Sequence, residues 1–157
     1  MTTAAEIRQS LAAFGQVRVR AFGSSMAPAL LPGDLISIQR ADISEIAVGE
    51  VVMYAREARI FVHRVVSRKS GADGSFLVTR GDRLGYDDSP VSSAELLGHA
   101  VGLERNGRAT AIPRLTEHPI LLAIFRASDR TTYAYMRVVS LWARRAKVAR
   151  ANGAIHA

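Results

Sequence analysis

The sequence predicts a mainly β protein: a compact antiparallel core, a short helix before it and a basic amphipathic helical tail after it. Three observations carry this. Between Gln16 and Ala111 the chain consists of short β-type runs cut by turn residues at close spacing. Ahead of them, Thr3-Ala4-Ala5-Glu6 has capping-box spacing. Beyond Pro119, basic and apolar side chains sort to opposite sides of a 3.6-residue wheel.

In order, the capping box opens a helix over 3–14 with Ile7, Leu11 and Ala12 on one side, stopped by Gly15. The β core spans 16–112. Its runs are Val17 to Phe22, Leu35 to Gln39, Glu50 to Tyr54, Ile60 to Val66, Ser75 to Thr79, Leu96 to Leu103 and Ala109 to Ile112. Pro32-Gly33-Asp34, Gly71-Ala72-Asp73-Gly74 and Asn106-Gly107 supply turns. The tail is read as helical from Pro119 to about Arg150, with a break offered at Ser128-Asp129. Arg126, Arg130, Arg137, Arg144 and Lys147 share one sector of the wheel; Ile124, Tyr135, Val139, Trp142 and Ala146 lie opposite. The chain divides into a β domain, 1–115, and a helical tail, 116–157.

Composition narrows the classes. A chain of 157 residues, 48% hydrophobic and 22% charged, can bury a real core and is not disordered. With no cysteine it has no disulfide framework, thiolate chemistry or Cys-ligated zinc. The net charge of +7 is uneven: +2 over residues 1–115 and +5 over 116–157. Such a tail suits an anionic membrane surface, nucleic acid or plain solubility. No apolar run reaches the roughly 18–20 residues of a membrane span. The first fifteen residues, interrupted by Glu6 and Arg8, do not read as a signal peptide.

Three segments carry chemistry. In Phe22-Gly23-Ser24-Ser25-Met26-Ala27-Pro28, a serine follows a glycine turn at a strand end, where backbone N–H groups can gather. Taken alone, such a segment is most often only a loop. In Val62-His63-Arg64-Val65-Val66 a histidine sits inside an apolar strand, more often a core position than a base. In Thr79-Arg80-Gly81-Asp82-Arg83-Leu84-Gly85-Tyr86-Asp87-Asp88, three carboxylates follow a strand. They serve either as turn caps or as the group that orients His63. His99, His118 and His156 lack comparable context.

Together the segments resemble a family. Ser25-Met26-x-Pro28, Gly33-Asp34, Gly49-Glu50-Val51-Val52, His63-Arg64-Val65-Val66, Gly81-Asp82 and Asp87-Asp88 occur in the order seen in type I signal peptidases. Leu96 to Val101 is similar to that family's closing strand. His63 stands where the common bacterial branch has lysine, so the resemblance is to the Ser/His/Asp branch of endoplasmic reticulum and archaeal enzymes. The resemblance covers about residues 17–103. It implies Ser25 as nucleophile, His63 as general base and acid, and Asp88 as the carboxylate that orients His63, with Asp82 as the alternative third member. It also implies Met26 and Pro28 beside a peptide groove. Only Lys69 and Lys147 are lysines among 21 basic residues, and neither is placed to act as a base.

The chain departs from the family at three places. Gly23 replaces a serine that helps hold the oxyanion, leaving that task to backbone N–H groups with Ser24. Arg83 and Leu84 replace asparagines after Gly81-Asp82. No apolar anchor appears in the roughly twenty residues before Gly23, and only 15 residues separate Val66 from Asp82. The expectation is a serine endopeptidase that processes a leader, signal or precursor peptide, with no metal or other cofactor. The alternatives are a catalytically weak or inactive peptide-binding module of the same fold, and a membrane- or nucleic-acid-associated regulator acting through the tail. The preferred reading of the tail is a helix packed on the β core with its arginines in water; the alternative is contact of residues 119–150 with anionic lipid, and nucleic acid is the disfavoured partner. The expected location is cytoplasmic, with peripheral contact at the membrane.

Overall fold

The computed structural model describes residues 3–71, 74–114, 119–128 and 130–138. Its helix α1 spans Ala4–Phe14. The Thr3 side chain accepts the Glu6 N–H while the Glu6 side chain accepts the Thr3 N–H, so both halves of the capping box form. Gly15 closes the helix in the left-handed conformation. Ile7 and Leu11, one turn apart, are its buried side chains.

Seven strands follow: β1 Gln16–Arg20, β2 Leu35–Gln39, β3 Val51–Arg56, β4 Arg59–Gly71, β5 Gly74–Arg80, β6 Leu96–Arg105 and β7 Arg108–Thr110. They form one antiparallel sheet in the order β1-β2-β6-β3-β4-β5, with β7 on β6. The mainly β class read from the sequence is the observed one. Every expected run is represented, with shifted ends. β1 stops at Arg20, so Phe22 is 86% exposed. β4 continues five residues past Val66 by pairing with β5, and a bulge between Val65 and Ser67 takes up the register.

The centre of the sheet is β3, where Val51, Val52, Met53 and Tyr54 are all buried. Val51 and Met53 enter a core with Ile7, Leu11, Met26, Leu30, Ile36, Ile38, Leu97 and Leu103. Val52 and Tyr54 enter the other, with Ile46, Val65, Leu77, Val91 and Leu96. An uninterrupted apolar run is what a strand covered on both faces requires. The β3–β4 hairpin turns at Glu57 and Ala58, both with positive φ (48° and 60°). Such turns usually use Asn-Gly, so this one carries no local signal. The six-residue ladder from Val51↔Arg64 to Arg56↔Arg59 imposes it.

Helix α2, Pro119–Ala127, is followed by a break at Ser128 and a second helical stretch, 130–138. The break offered at Ser128-Asp129 is thus present at Ser128. Leu122 is buried while Ile124, assigned to the packed side, is 44% exposed. Arg126, assigned to the solvent-facing sector, donates from Nε to the Asp82 carbonyl at 3.1 Å. Tyr135 packs on Ala27 and Leu31 of the serine loop. Val139, Trp142, Arg144, Ala146 and Lys147 lie outside the described residues. Among the described residues no helix is long and apolar enough to cross a membrane.

Candidate active site

Ser25 lies in the loop between β1 and β2, and that loop is pinned at its neck. The Ala21 N–H donates to the Asp34 carbonyl at 2.8 Å and the Gly33 N–H to the Ala21 carbonyl at 3.0 Å. Asp34 is 4% exposed. Its carboxylate accepts the Leu31 N–H at 2.8 Å and a two-pronged contact from Arg105, at 2.9 Å from Nε and 2.7 Å from Nη2. The same Nη2 donates to the Ala29 carbonyl at 2.9 Å. A planar guanidinium suits this fork. Arg105 lies 71 residues from Asp34, and no local signal revealed the pairing.

His63 lies in β4 opposite Val52 of β3. Alternation along the strand puts Phe61, His63 and Val65 on one face. Tyr54 stacks on Phe61 at 5.2 Å, and both rings meet His63 edge-on at 6.3 and 6.0 Å. This wall leaves His63 only 5% exposed. Asp88 follows β5, in a segment that Arg56 holds from the far side. Arg56 donates to Glu95 Oε1 at 2.6 Å and to the Ser89 and Pro90 carbonyls at 3.2 and 2.9 Å.

The structure brings Ser25, His63 and Asp88 into series. His63 Nε2 is 3.1 Å from Ser25 Oγ, and His63 Nδ1 is 2.6 Å from Asp88 Oδ2. With Asp88 ionised, both contacts are hydrogen bonds when Nδ1 carries the proton and Nε2 accepts from the serine. Burial pushes the Asp88 carboxyl up. Hydrogen bonds from His63 and Thr79, attraction to His63 and the Tyr54 hydroxyl outweigh it and hold the group below its usual range.

Asp82 does not join this series. It is 3% exposed, and its two carboxylate oxygens take Arg64 Nε and Nη2, each at 2.8 Å. Arg64 also donates to the Gly49 carbonyl and the Pro113 carbonyl, both at 2.9 Å. Of the two carboxylates offered as third member, Asp88 meets His63 while Arg64 occupies Asp82. Asp87 pairs with Arg80 at 2.7 Å.

Gly81 and Arg83 touch the serine directly. The Arg83 N–H donates to the Ser25 carbonyl at 2.9 Å. A Cβ on Gly81 would stand 2.8 Å from that carbonyl oxygen and 3.0 Å from Ser25 Cβ. Gly81→Ala should therefore displace Ser25 from His63, because the obstructing atoms are backbone and not a flexible side-chain end. Its expected signature is a drop in labelling of Ser25 by a fluorophosphonate, with a thermal midpoint lowered by only a few degrees. Labelling equal to the parent protein would refute this.

Gly23 sits at φ +78°, a left-handed conformation that glycine adopts without strain. The Ser24 carbonyl accepts the Ala27 N–H at 3.1 Å and curls the loop around Ser25. Met26 is 5% exposed and packs into the α1-side core, so it supports the loop from beneath. Pro28 is half-buried and follows a cis peptide bond. Among the described residues no group of three or more His, Asp or Glu side chains is placed to hold a metal ion.

A serine, a histidine and an aspartate hydrogen-bonded in that order on a β core is the arrangement of a hydrolase-type triad. Comparison with known proteins agrees on the class. No family model matches the chain. It is 39% identical over 66 residues to the signal peptidase complex catalytic subunit SEC11 of Clavispora lusitaniae, covering 41% of this chain and 39% of that protein. It is 32% identical over 112 residues to the protein of the same name from Metarhizium robertsii, covering 64% of each. The chain thus spans less than two thirds of the length of either relative. Over the matched residues the chain is similar to signal peptidase catalytic subunits of the endoplasmic-reticulum type.

Proposed function

We propose that the protein is a serine endopeptidase that processes a signal, leader or precursor peptide. The observation that carries this reading is the continuous series Ser25 Oγ, His63 Nε2, His63 Nδ1, Asp88 Oδ2 at 3.1 and 2.6 Å. The name of the two relatives, signal peptidase complex catalytic subunit, supports the substrate class.

In this reading Ser25 Oγ attacks the scissile carbonyl carbon while His63 Nε2 takes its proton. A serine hydroxyl is too weakly acidic to ionise near neutral pH, so the base must act as the bond forms. Asp88 fixes the tautomer and stabilises the imidazolium. The oxyanion falls to backbone N–H groups of the Gly23–Met26 turn, since glycine at position 23 offers no hydroxyl. The Ser25 N–H has no acceptor among the described residues and is the first such donor. His63 then passes its proton to the departing amine. Water, deprotonated by the same nitrogen, releases the acyl group from Ser25.

The test is mass spectrometry of precursor peptides carrying Ala-x-Ala sites, incubated with the parent protein and with Ser25→Ala. Cleavage at a defined bond by the parent alone is expected. Equal product from both proteins, or none from either, refutes the reading.

A further inference from the structure

Thr79, one residue before the end of β5, lies opposite Val65 of β4, two residues beyond His63, and is fully buried. It touches Asp88 twice. Its hydroxyl donates to Asp88 Oδ2 at 2.7 Å, the same oxygen that His63 Nδ1 contacts. Its carbonyl accepts the Asp88 N–H at 2.8 Å. Backbone and carboxylate are thus held by one residue from two sides. Behind it stands Tyr54, 1% exposed, whose hydroxyl titration is influenced by both Thr79 and Asp88.

Proton bookkeeping gives this group a direction. An ionised carboxylate only accepts, so the single Thr79 hydroxyl proton points at Asp88. The Tyr54 hydroxyl also favours the ionised form of Asp88. Burial, foremost, pushes the Tyr54 hydroxyl up to about 12, so it keeps its proton at any working pH. Thr79 and His63 thus converge on Asp88 Oδ2, and Tyr54 favours the same ionised carboxylate from behind.

We propose that Thr79, backed by Tyr54, is the positioning residue of this site: it sets where the Asp88 carboxylate stands and so how His63 is presented to Ser25. The role rests on the peptidase reading above for its catalytic consequence, but the placement of Asp88 is testable without any substrate. A carboxylate stripped of one donor is a stronger proton acceptor, so losing the Thr79 hydroxyl raises the pH at which Asp88 titrates.

The experiment compares the full-length parent protein with Thr79→Val, Thr79→Ser and Tyr54→Phe. The Asp88 carboxyl carbon and the low-field His63 Nδ1 proton are followed by NMR against pH. Where the parent cleaves a peptide, kcat and KM are measured as well. In Thr79→Val the Asp88 carboxyl should titrate at higher pH than in the parent, and kcat should fall about 10- to 100-fold at unchanged KM. Thr79→Ser, which keeps the hydroxyl, should restore both. Tyr54→Phe, nearly isosteric, should shift Asp88 in the same direction by less, and it decides the matter should the valine variant not fold. Asp88 titrating as in the parent in both Thr79→Val and Tyr54→Phe overturns the proposal. A parent that cleaves nothing defeats the peptidase reading, and the NMR arms still decide the placement.

Discussion

His63→Ala should lower the rate of peptide cleavage by about 10²–10⁴-fold, the usual worth of a positioned general base. His63 Nε2 is the nitrogen that meets Ser25 Oγ, and no second base stands in the series. The double variant Ser25→Ala/His63→Ala should be no slower than the worse single one, because the two groups act as a unit. Initial rates on one fluorogenic peptide, with melting curves as a fold check, decide it. A rate for folded His63→Ala within threefold of the parent would remove the histidine from the reaction.

The second large effect separates the two carboxylates that both suit a third triad position by sequence. Asp82→Ala leaves the Arg64 guanidinium buried, with only the Gly49 and Pro113 carbonyls to meet it. Breaking one side of a buried ion pair costs about 3–5 kcal/mol. At this chain length that lowers the melting midpoint by roughly 10 °C. Asp88→Ala should lower stability far less while reducing cleavage by about 10²–10⁴-fold. Asp82 also sits between two contacts to other parts of the chain. Its own carbonyl accepts from Arg126, and the next residue's N–H donates to Ser25. Melting by circular dichroism and cleavage rate on the same samples test the contrast. An Asp82→Ala protein as stable as the parent would show that Arg64 finds other acceptors.

The elements legible in the sequence were those with local causes. The capping box of α1 needs only Thr3 and Glu6. The Asn106-Gly107 turn takes its positive φ values from residues that tolerate them. The apolar run of β3 announces burial on both faces without naming the neighbours that supply it. The site was legible in part for the same reason: Ser25, His63 and Asp88 each stand in a short motif of fixed order.

The parts that were not legible depend on distant partners. The Glu57–Ala58 turn has no turn chemistry and is forced by the ladder beside it. Arg105 grips Asp34, and Arg56 grips the segment after Asp88, across separations no motif spans. Arg126 is exposed, as its place on the arginine face suggested, but its contact with the Asp82 carbonyl had no local signal.

By itself, the sequence determined a β core with a leading helix, a family resemblance, and a serine, a histidine and a small set of carboxylates as candidates. Periodicity, caps and short motifs are properties of neighbouring residues, and they survive being read along a line. Only the tertiary structure decided which carboxylate meets His63. Asp82 and Asp88 are both acidic, both follow a glycine-containing turn after β5, and lie six residues apart. What separates them is what each meets in the folded chain. Arg64 claims Asp82 with two bonds, and the Thr79 hydroxyl holds Asp88 against the histidine.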